Sequence, residues 1–525
     1  MPEPVRPPTA RTVPALLAEM ASRDPSRIAL VDRTRRWTYE QLNRDTRRVA
    51  AALAARGIEH GDRVGILAGN CGEWVIGYFA AMHLGAVAVG LNTWSTAHEL
   101  AYQLAHAEVK MLLVEPRFRD SDFLALLNEA RALGDGLPAL HDVVTFGKVV
   151  PEYTDFATWL APPEAELSDR LSKPVAPDDV ACLLYTSGST ALPKGVPLLH
   201  HGLIENMWEI GERQRLVADD RLWLAVSLFW SLACVNALFA VVTHGGTVVL
   251  QHHFDAGDAL ELISSERCTV FYGTPNMALA LAEHPRLSGT DISSLRTGVT
   301  IGTAAQVRRI AELGVDEICN VYGLTEAYGN STVTDARMPL DRRVETVGTA
   351  LAGVEVRIAD PDTGAILPHG TAGEIVLRGR VTPGYWNDSE RTAEAMTTDG
   401  AFRTGDLGML DDEGCLYYRG RLKEMVKTGG INVAPAEVEE VLSAHPAVEL
   451  AFVTGLPDPR LDEMLAAVIV IRDGARADPE SLAAHCRETL AAYKTPRQFR
   501  FVTASELPLT STGKLQRKRL AELFA

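Results

Sequence analysis

The chain has 525 residues, 46% of them hydrophobic and 23% charged, which excludes wholesale disorder and predicts several domains rather than one ordinary core. Its 51 basic residues against 68 acidic ones leave a formal net charge of -17, which excludes a general nucleic-acid binder with a basic face but not a local basic pocket for a nucleotide. The seven cysteines (Cys71, Cys182, Cys234, Cys268, Cys319, Cys415 and Cys486) form no C-x-x-C pair, and neither His200-His201 nor His252-His253 has the helical spacing of a zinc site.

The opening residues, 1–8, are proline-rich and lack an apolar segment, so a loose tail of about ten residues and no secretory signal are expected. Val13 to Met20 reads as a helix, and Ile28 to Val31 as a short strand. A long helix starts at Thr38 and stops at Gly57; the strand Arg63 to Leu67, the helix Glu73 to Leu84 and the strand Ala86 to Val89 follow. Strand, helix and strand joined by short loops predict an α/β fold with parallel, doubly wound sheets. Arg131 to Pro177 reads as irregular connecting structure before the strand Val180 to Tyr185. The longest apolar stretches, such as Leu232 to Val242, fall short of the roughly 18 residues a membrane span needs, so a cytoplasmic protein is expected. From 354 to 419 short alternating strands between Gly and Asp turns predict an antiparallel or barrel-like subdomain. Helices and strands return after Gly420, which suggests a boundary there: residues 1–420 as a large domain and 421–525 as a small one.

The strongest local signal is the run Tyr185-Thr186-Ser187-Gly188-Ser189-Thr190-Ala191-Leu192-Pro193-Lys194-Gly195, directly after a strand. Glycines and small hydroxyl residues let backbone N–H groups approach phosphate oxygens, and Lys194 adds positive charge. The Walker pattern G-x-x-x-x-G-K-[ST] is absent. Downstream stand Asn320-Val321-Tyr322-Gly323-Leu324-Thr325-Glu326, Arg403-Thr404-Gly405-Asp406, Gly420-Arg421-Leu422-Lys423 and Pro508-Leu509-Thr510-Ser511-Thr512-Gly513-Lys514. Each alone is an ordinary turn or tail; together and in this order they resemble the adenylate-forming superfamily of acyl-CoA synthetases, firefly luciferase and peptide-synthetase adenylation domains. The resemblance covers roughly residues 12 to 525. The one departure in the first motif is Ala191, where that family has Gly, and Ala is tolerated only where φ need not be positive.

The resemblance implies a large domain of two doubly wound subdomains with a distorted β-barrel, and a small mobile α+β domain. It implies ATP, Mg²⁺ and coenzyme A as cofactors, a small carboxylic acid as substrate, no nucleic acid, and a homodimer as an open reading. By the same resemblance Thr186, Ser187, Gly188, Ser189, Thr190, Lys194, Gly302, Thr303, Asn320, Tyr322, Gly323 and Thr325 meet the nucleotide. Asp406 and Arg421 reach the ribose, and Glu326 helps hold Mg²⁺. Lys514, with Thr186, Lys194 and Glu326, is catalytic; Lys423 is the hinge, and Lys427, Gly429 and Gly430 line the thiol's path. Peptide-synthetase domains place an aspartate in Phe-Asp-x-Ser to pair with an ammonium. Here the segment is Phe229-Trp230-Ser231, and no acid follows until Asp255, so an α-amino acid is disfavoured. Trp230, Phe271, Tyr272, Val299, Ile301, Val321 and Tyr328 compose an apolar, partly aromatic acyl pocket suited to an aromatic, alicyclic or medium-chain acid. Two other readings stay open: an adenylate-forming enzyme with a non-CoA acceptor (a carrier-protein thiol, an amine, or inorganic anion chemistry), and a non-catalytic nucleotide-binding module.

Overall fold

A computed structural model describes residues 5–134, 136–160, 174–186, 193–428, 431–458, 461–490, 492–509 and 515–525. The chain forms two compact units, residues 1–355 with 377–402 and residues 356–376 with 403–525. The sequence pattern places a boundary near residue 420, whereas the compact smaller unit also takes in residues 356–376 and 403–420.

The larger unit holds two sheets. One has seven strands in the order Lys194–Leu199, Val180–Thr186, Val87–Gly90, Arg63–Leu67, Val109–Val114, Asp142–Thr145, Thr154–Asp155. All its pairings are parallel except the first. The other has nine strands, with a parallel centre formed by Glu317–Tyr322, Thr297–Thr300, Val270–Tyr272, Arg221–Leu224, Thr247–Leu250 and Ile28–Asp32. Strands covered on both faces read as continuous apolar runs rather than alternating ones, and Val87–Gly90, Thr247–Leu250 and Thr297–Thr300 are buried along their whole length.

Local chemistry sets the helix ends. Thr38 opens Tyr39–Ala55 with a capping box closed by Gln41, and Thr96 opens Ala97–His106 with Glu99 in the same role. Gly72–Leu84 is apolar all round and buried on nearly every face, as a helix inside a large core must be. Gly85 ends it at φ 78°, a left-handed conformation that favours glycine. Among the described residues no helix is long and apolar enough to cross a membrane.

Two expectations are corrected. Residues 6–10 are not loose: the Glu19 carboxylate accepts from the Thr9 and Ala10 backbone N–H groups, and Arg23 donates to the Arg6 and Pro7 carbonyls. Within 131–177, Asp142–Thr145 is a sheet strand in parallel register with Met111 to Val114, and Phe156–Leu160 is a 3₁₀ turn. Four residues are too few to show a period, so neighbouring strands decide the conformation. Lys194–Leu199 is a strand despite Pro197, because it lies at the edge of its sheet, where a missing N–H leaves no ladder bond open.

The smaller unit includes most of a four-stranded sheet in the order Val354–Ala359, Gly373–Gly379, Phe402–Leu410, Leu416–Arg421, the last pair antiparallel. A second sheet pairs Val448–Asp458 with Asp462–Ile471, flanked by Val426–Thr428, Ile431–Val433 and Gln498–Phe501. The helices Pro435–Ser443 and Pro479–Thr489 supply Val438, Leu442, Leu482 and Cys486 to the core on one face; Val468, Val470, Leu507 and Leu520 form the other.

Arg517 fastens the end of this unit. Its guanidinium donates to both Glu439 oxygens at 2.6 and 2.7 Å, and its Nε lies 3.4 Å from Glu424. Glu439 also accepts from the Val453 N–H at 2.8 Å. Arg517→Met is expected to leave Glu439 short of its charged partner and to destabilise this unit by about 1–3 kcal/mol, less than a fully buried pair because the arginine is partly solvated. Urea unfolding followed at the smaller unit's transition checks this; an unchanged midpoint contradicts it.

Candidate active site

The two strands that flank the phosphate-type loop pair antiparallel. Val180–Thr186 and Lys194–Leu199 pair so that Thr186 faces Lys194 and Tyr185 faces Gly195 across the neck. Ser187, Gly188, Ser189, Thr190, Ala191 and Leu192 lie outside the described residues. The helix Ala97–His106 grips the neck from both sides. Tyr102 donates its hydroxyl to the Pro193 carbonyl at 3.0 Å, and the Tyr185 hydroxyl donates to the Gln103 carbonyl at 3.3 Å and lies 2.9 Å from His106 Nδ1. Tyr102 and His106 stack with ring centres 5.2 Å apart. Burial lowers the pKa of His106, so the imidazole stands neutral beside the tyrosine.

A second segment, 382–386, packs against the same neck. The Trp386 N–H donates to the Gly195 carbonyl at 2.8 Å, and the Thr382 hydroxyl donates to the Pro197 carbonyl at 2.8 Å. The Thr382 N–H also donates to the Glu326 carbonyl at 2.6 Å. These bonds bring Lys194 and Glu326 to one place, with Tyr385 between them. Lys194 Nζ is 3.4 Å from the Tyr385 oxygen and 4.4 Å from its ring centre, and the Tyr385 hydroxyl donates to Glu326 Oε1 at 2.9 Å. Burial and the Glu326 carboxylate push the Tyr385 phenol well above its ordinary pKa, so it remains a donor.

Glu326 sits in the 3₁₀ turn Thr325–Ala327, which ends at Tyr328 with φ 54°, a left-handed conformation uncommon outside glycine. The Leu199 N–H donates to the Tyr328 oxygen at 3.2 Å and anchors that residue to the strand pair. Gly323 has a packing reason: a Cβ there would lie 2.1 Å from the Gly329 carbonyl oxygen and 2.4 Å from Asn330 Cα. Thr325 donates its hydroxyl to Ser231 at 3.3 Å, just before the π-helical turn Leu232–Ala237. Tyr322 and Asn320 lie on the strand Glu317–Tyr322, and the Asn320 side chain accepts from the Gly302 N–H at 3.4 Å and donates to the Thr346 carbonyl at 3.2 Å. Thr303 caps the helix Ala304–Glu312, its N–H donating to Gln306.

The seven residues expected at the acyl group do not share one environment. Phe271, Tyr272, Val299, Val321 and Tyr328 are buried; Phe271 packs on Trp223 at 5.5 Å, and Tyr272 accepts from Gln214 at 2.8 Å. Ile301 is 52% exposed, beside Gly302. Trp230 is half-buried in an aromatic trio with Phe229 and Trp94, at ring distances of 5.6 and 5.5 Å. Trp94 belongs to a loop remote in sequence, and nothing in its own neighbourhood marks it.

In the smaller unit Asp406 is buried and faces Arg421 across the last strand pair, with Nε at 3.4 Å. The turn before it is set by Glu374, a residue sequence reasoning passed over. Glu374 accepts from Arg403 at 2.6 and 3.0 Å and from the Gly405 N–H at 3.1 Å, while Gly405 takes φ 69°. An acidic residue between Gly373 and the apolar run Ile375 to Leu377 was the available signal. Lys423 lies in the 3₁₀ turn Leu422–Glu424, and Lys427 pairs in register with Asn432. Gly429, Gly430 and Lys514 lie outside the described residues.

The model of the AMP-binding enzyme family matches residues 17–386, and that of the AMP-binding enzyme C-terminal domain matches residues 437–514. A methyl-dioxo-octahydro-indenyl-propanoyl:CoA ligase of Mycobacterium tuberculosis is 37% identical over 98% of this chain and 99% of its own. A feruloyl-CoA synthase of an Amycolatopsis species is 36% identical over 93% and 94%. Among solved structures, the amide bond synthetase McbA of Marinactinospora thermotolerans superposes with a TM-score of 0.85 at 30% identity, over 98% of this chain and 99% of that one. With both family models matched in chain order and the motif residues Thr186, Lys194 and Glu326 gathered in one unit, the chain belongs to the AMP-binding enzyme family.

Proposed function

We propose that the acid this chain activates is aromatic, alicyclic or medium-chain, and that the half-buried Trp230 with Trp94 forms part of its acyl pocket. The relatives of both ring types, and the absence of a carboxylate at position 230, support that reading. The chain itself is an AMP-forming acid–CoA ligase that uses ATP, Mg²⁺ and coenzyme A. A carboxylate oxygen attacks the α-phosphorus of ATP and pyrophosphate leaves; the CoA sulfur then attacks the acyl carbon and AMP leaves. The observation that carries the site assignment is the convergence of Lys194 and Glu326 at the neck of the phosphate-type loop.

Two anions meet in the first step, so the site must screen charge in a place where water is scarce. Lys194 supplies a fixed cation for the phosphates. Glu326, buried beside Tyr385, suits Mg²⁺, which takes one or two protein carboxylates and keeps phosphate and water oxygens for the rest. When bound, Mg²⁺ would supply positive charge against the phosphates. Lys514 belongs to the acid and α-phosphate, and Asp406 with Arg421 to the ribose. In our reading residues 421–525 turn as a body about Lys423, so that Lys514 leaves and the thiol passes Lys427, Gly429 and Gly430. A homodimer and a cytoplasmic location complete the proposal; seven buried cysteines outside any disulfide suit a reducing compartment.

Asp406→Ala is expected to weaken ATP binding by about 1.5–3 kcal/mol, the value of a hydrogen bond to a charged group. Calorimetric titration with ATP reads this directly, and an unchanged affinity places Asp406 outside the site. The substrate class is tested by incubating the protein with ATP, Mg²⁺, CoA and a panel of benzoic, cinnamic, alicyclic and C6–C12 acids, with acyl-CoA read by mass spectrometry. Turnover restricted to acetate or to chains beyond C14 would overturn the class. The structural likeness to an amide bond synthetase keeps a second acceptor in view; consumption of acyl-adenylate by an amine in preference to CoA would favour it.

A further inference from the structure

We propose that Tyr385 is a positioning residue that holds Lys194 and Glu326 apart as well as together: a neutral spacer that keeps an ammonium and a carboxylate from closing on each other. This rests on the reading of Lys194 and Glu326 as the groups that face the triphosphate and its metal.

The geometry has a direction. Lys194 Nζ has only protons to give, and lies 3.4 Å from the Tyr385 oxygen; that oxygen gives its own proton to Glu326 at 2.9 Å. The ring adds a second hold, since the ammonium stands 4.4 Å from its centre, within cation–π range. Glu326 is 8% exposed and Tyr385 is 9% exposed, so bulk water does little to separate the two charges. At low dielectric a direct Lys–Glu pair would be tight. Such a pair would satisfy both groups with each other and leave neither to the phosphates or to a cation. A phenol between them is uncharged, donates to one side and accepts from the other, and forms a chain with no orphaned partner.

The spacer is itself fixed. The Tyr385 N–H donates to Thr392 Oγ1 at 2.8 Å, and the next residue's N–H holds the Gly195 carbonyl at 2.8 Å. Gly384, at φ 146°, would press a Cβ to within 2.6 Å of the Thr392 side chain, so the turn that delivers Tyr385 depends on glycine. The two charges come from residues 132 positions apart (326 − 194), and the spacer comes from a third segment.

Tyr385→Phe keeps the ring and removes the oxygen. It is expected to raise the ATP Kd, and the Mg²⁺ concentration for half-maximal ATP binding, by about ten- to a hundredfold. Pyrophosphate exchange should fall in parallel. CoA-dependent consumption of synthetic acyl-AMP, which involves neither triphosphate nor its metal, should change by less than about threefold, and the melting temperature by only a few degrees. Equal loss in both half-reactions, or ATP and Mg²⁺ binding like that of the wild type, overturns the proposal. Lys194→Ala runs alongside as the control for the underlying site. If it leaves ATP binding intact, the assignment of the neck to the triphosphate fails; if it weakens ATP binding and Tyr385→Phe does not, the spacer alone fails. Tyr385→Leu, which removes ring and oxygen, should lose more ATP affinity than the phenylalanine variant; an equal loss removes the ring from the account.

Discussion

Lys514→Ala is expected to lower acid-dependent ATP–pyrophosphate exchange by about 10²- to 10³-fold, the usual consequence of deleting one preorganised charge-stabilising donor. The same variant should form thioester from synthetic acyl-AMP and CoA at close to the wild-type rate. Charge is the reason for the asymmetry. In adenylation a carboxylate approaches a phosphate that already carries negative charge, and a cation between them lowers the barrier directly. In thioester formation the electrophile is an acyl carbon with AMP as its leaving group, and a lysine lodged beside it would only obstruct the thiol. The Gly513-Lys514 pair closes a motif that stands at the far end of the chain from the loop that begins at Thr186. Only a folded arrangement that serves one step and not the other gives the two half-reactions different sensitivities. Equal loss in both would remove Lys514 from the first step's chemistry and make it a structural residue.

Lys423→Pro should separate the half-reactions in the other manner. Lys423 occupies the second position of the turn Leu422 to Met425, where the Met425 N–H donates to the Leu422 carbonyl at 3.4 Å. Proline is favoured at that position of a turn, with φ near about −65°, and its missing N–H removes no bond of this turn. The substitution therefore fits one backbone shape and forbids others. If residues 421–525 turn about this point, a frozen pivot keeps one half-reaction and stalls the other. We expect exchange to survive and CoA-dependent AMP release to fall by at least about tenfold. Both half-reactions have to be followed on one folded preparation. Two equal losses, or full rates of both, would move the pivot elsewhere.

Much of this was legible before any coordinates. Doubly wound sheets follow from short βαβ spacings, and the helix start at Thr38 follows from cap chemistry that acts over three residues. Such signals are local, and sequence shows them directly. The strand Asp142–Thr145 is local too, but it holds only Val143 and Val144 between polar ends, and its neighbour at Met111 to Val114 makes it a strand. The strand Lys194–Leu199 accommodates Pro197 through its edge position, which only the sheet order reveals.

The site divides along the same line. Thr186, Lys194, Glu326 and Asp406, which we propose meet the nucleotide, stand in the motifs that carry the family resemblance. Tyr102, His106 and Tyr385 do not, because each works on a residue dozens to hundreds of positions away. Glu374 shapes the Thr404-Gly405-Asp406 turn from a neighbouring strand, and no spacing rule connects the two. Trp94 reaches Trp230 only through the fold. The proposed nucleotide-facing residues stand out where a motif marks them; residues that tie distant segments together do not, since packing between those segments defines them.

The central claim is that one site makes an acyl-adenylate and then passes the acyl group to CoA. The direct measurement is radiolabelled pyrophosphate exchange into ATP over the acid panel without CoA, followed by addition of CoA to the same preparation. The account requires acid-dependent exchange before CoA is present, and release of AMP with one acyl-CoA per AMP once it is added. No exchange with any acid, or AMP release that CoA does not change, would contradict it.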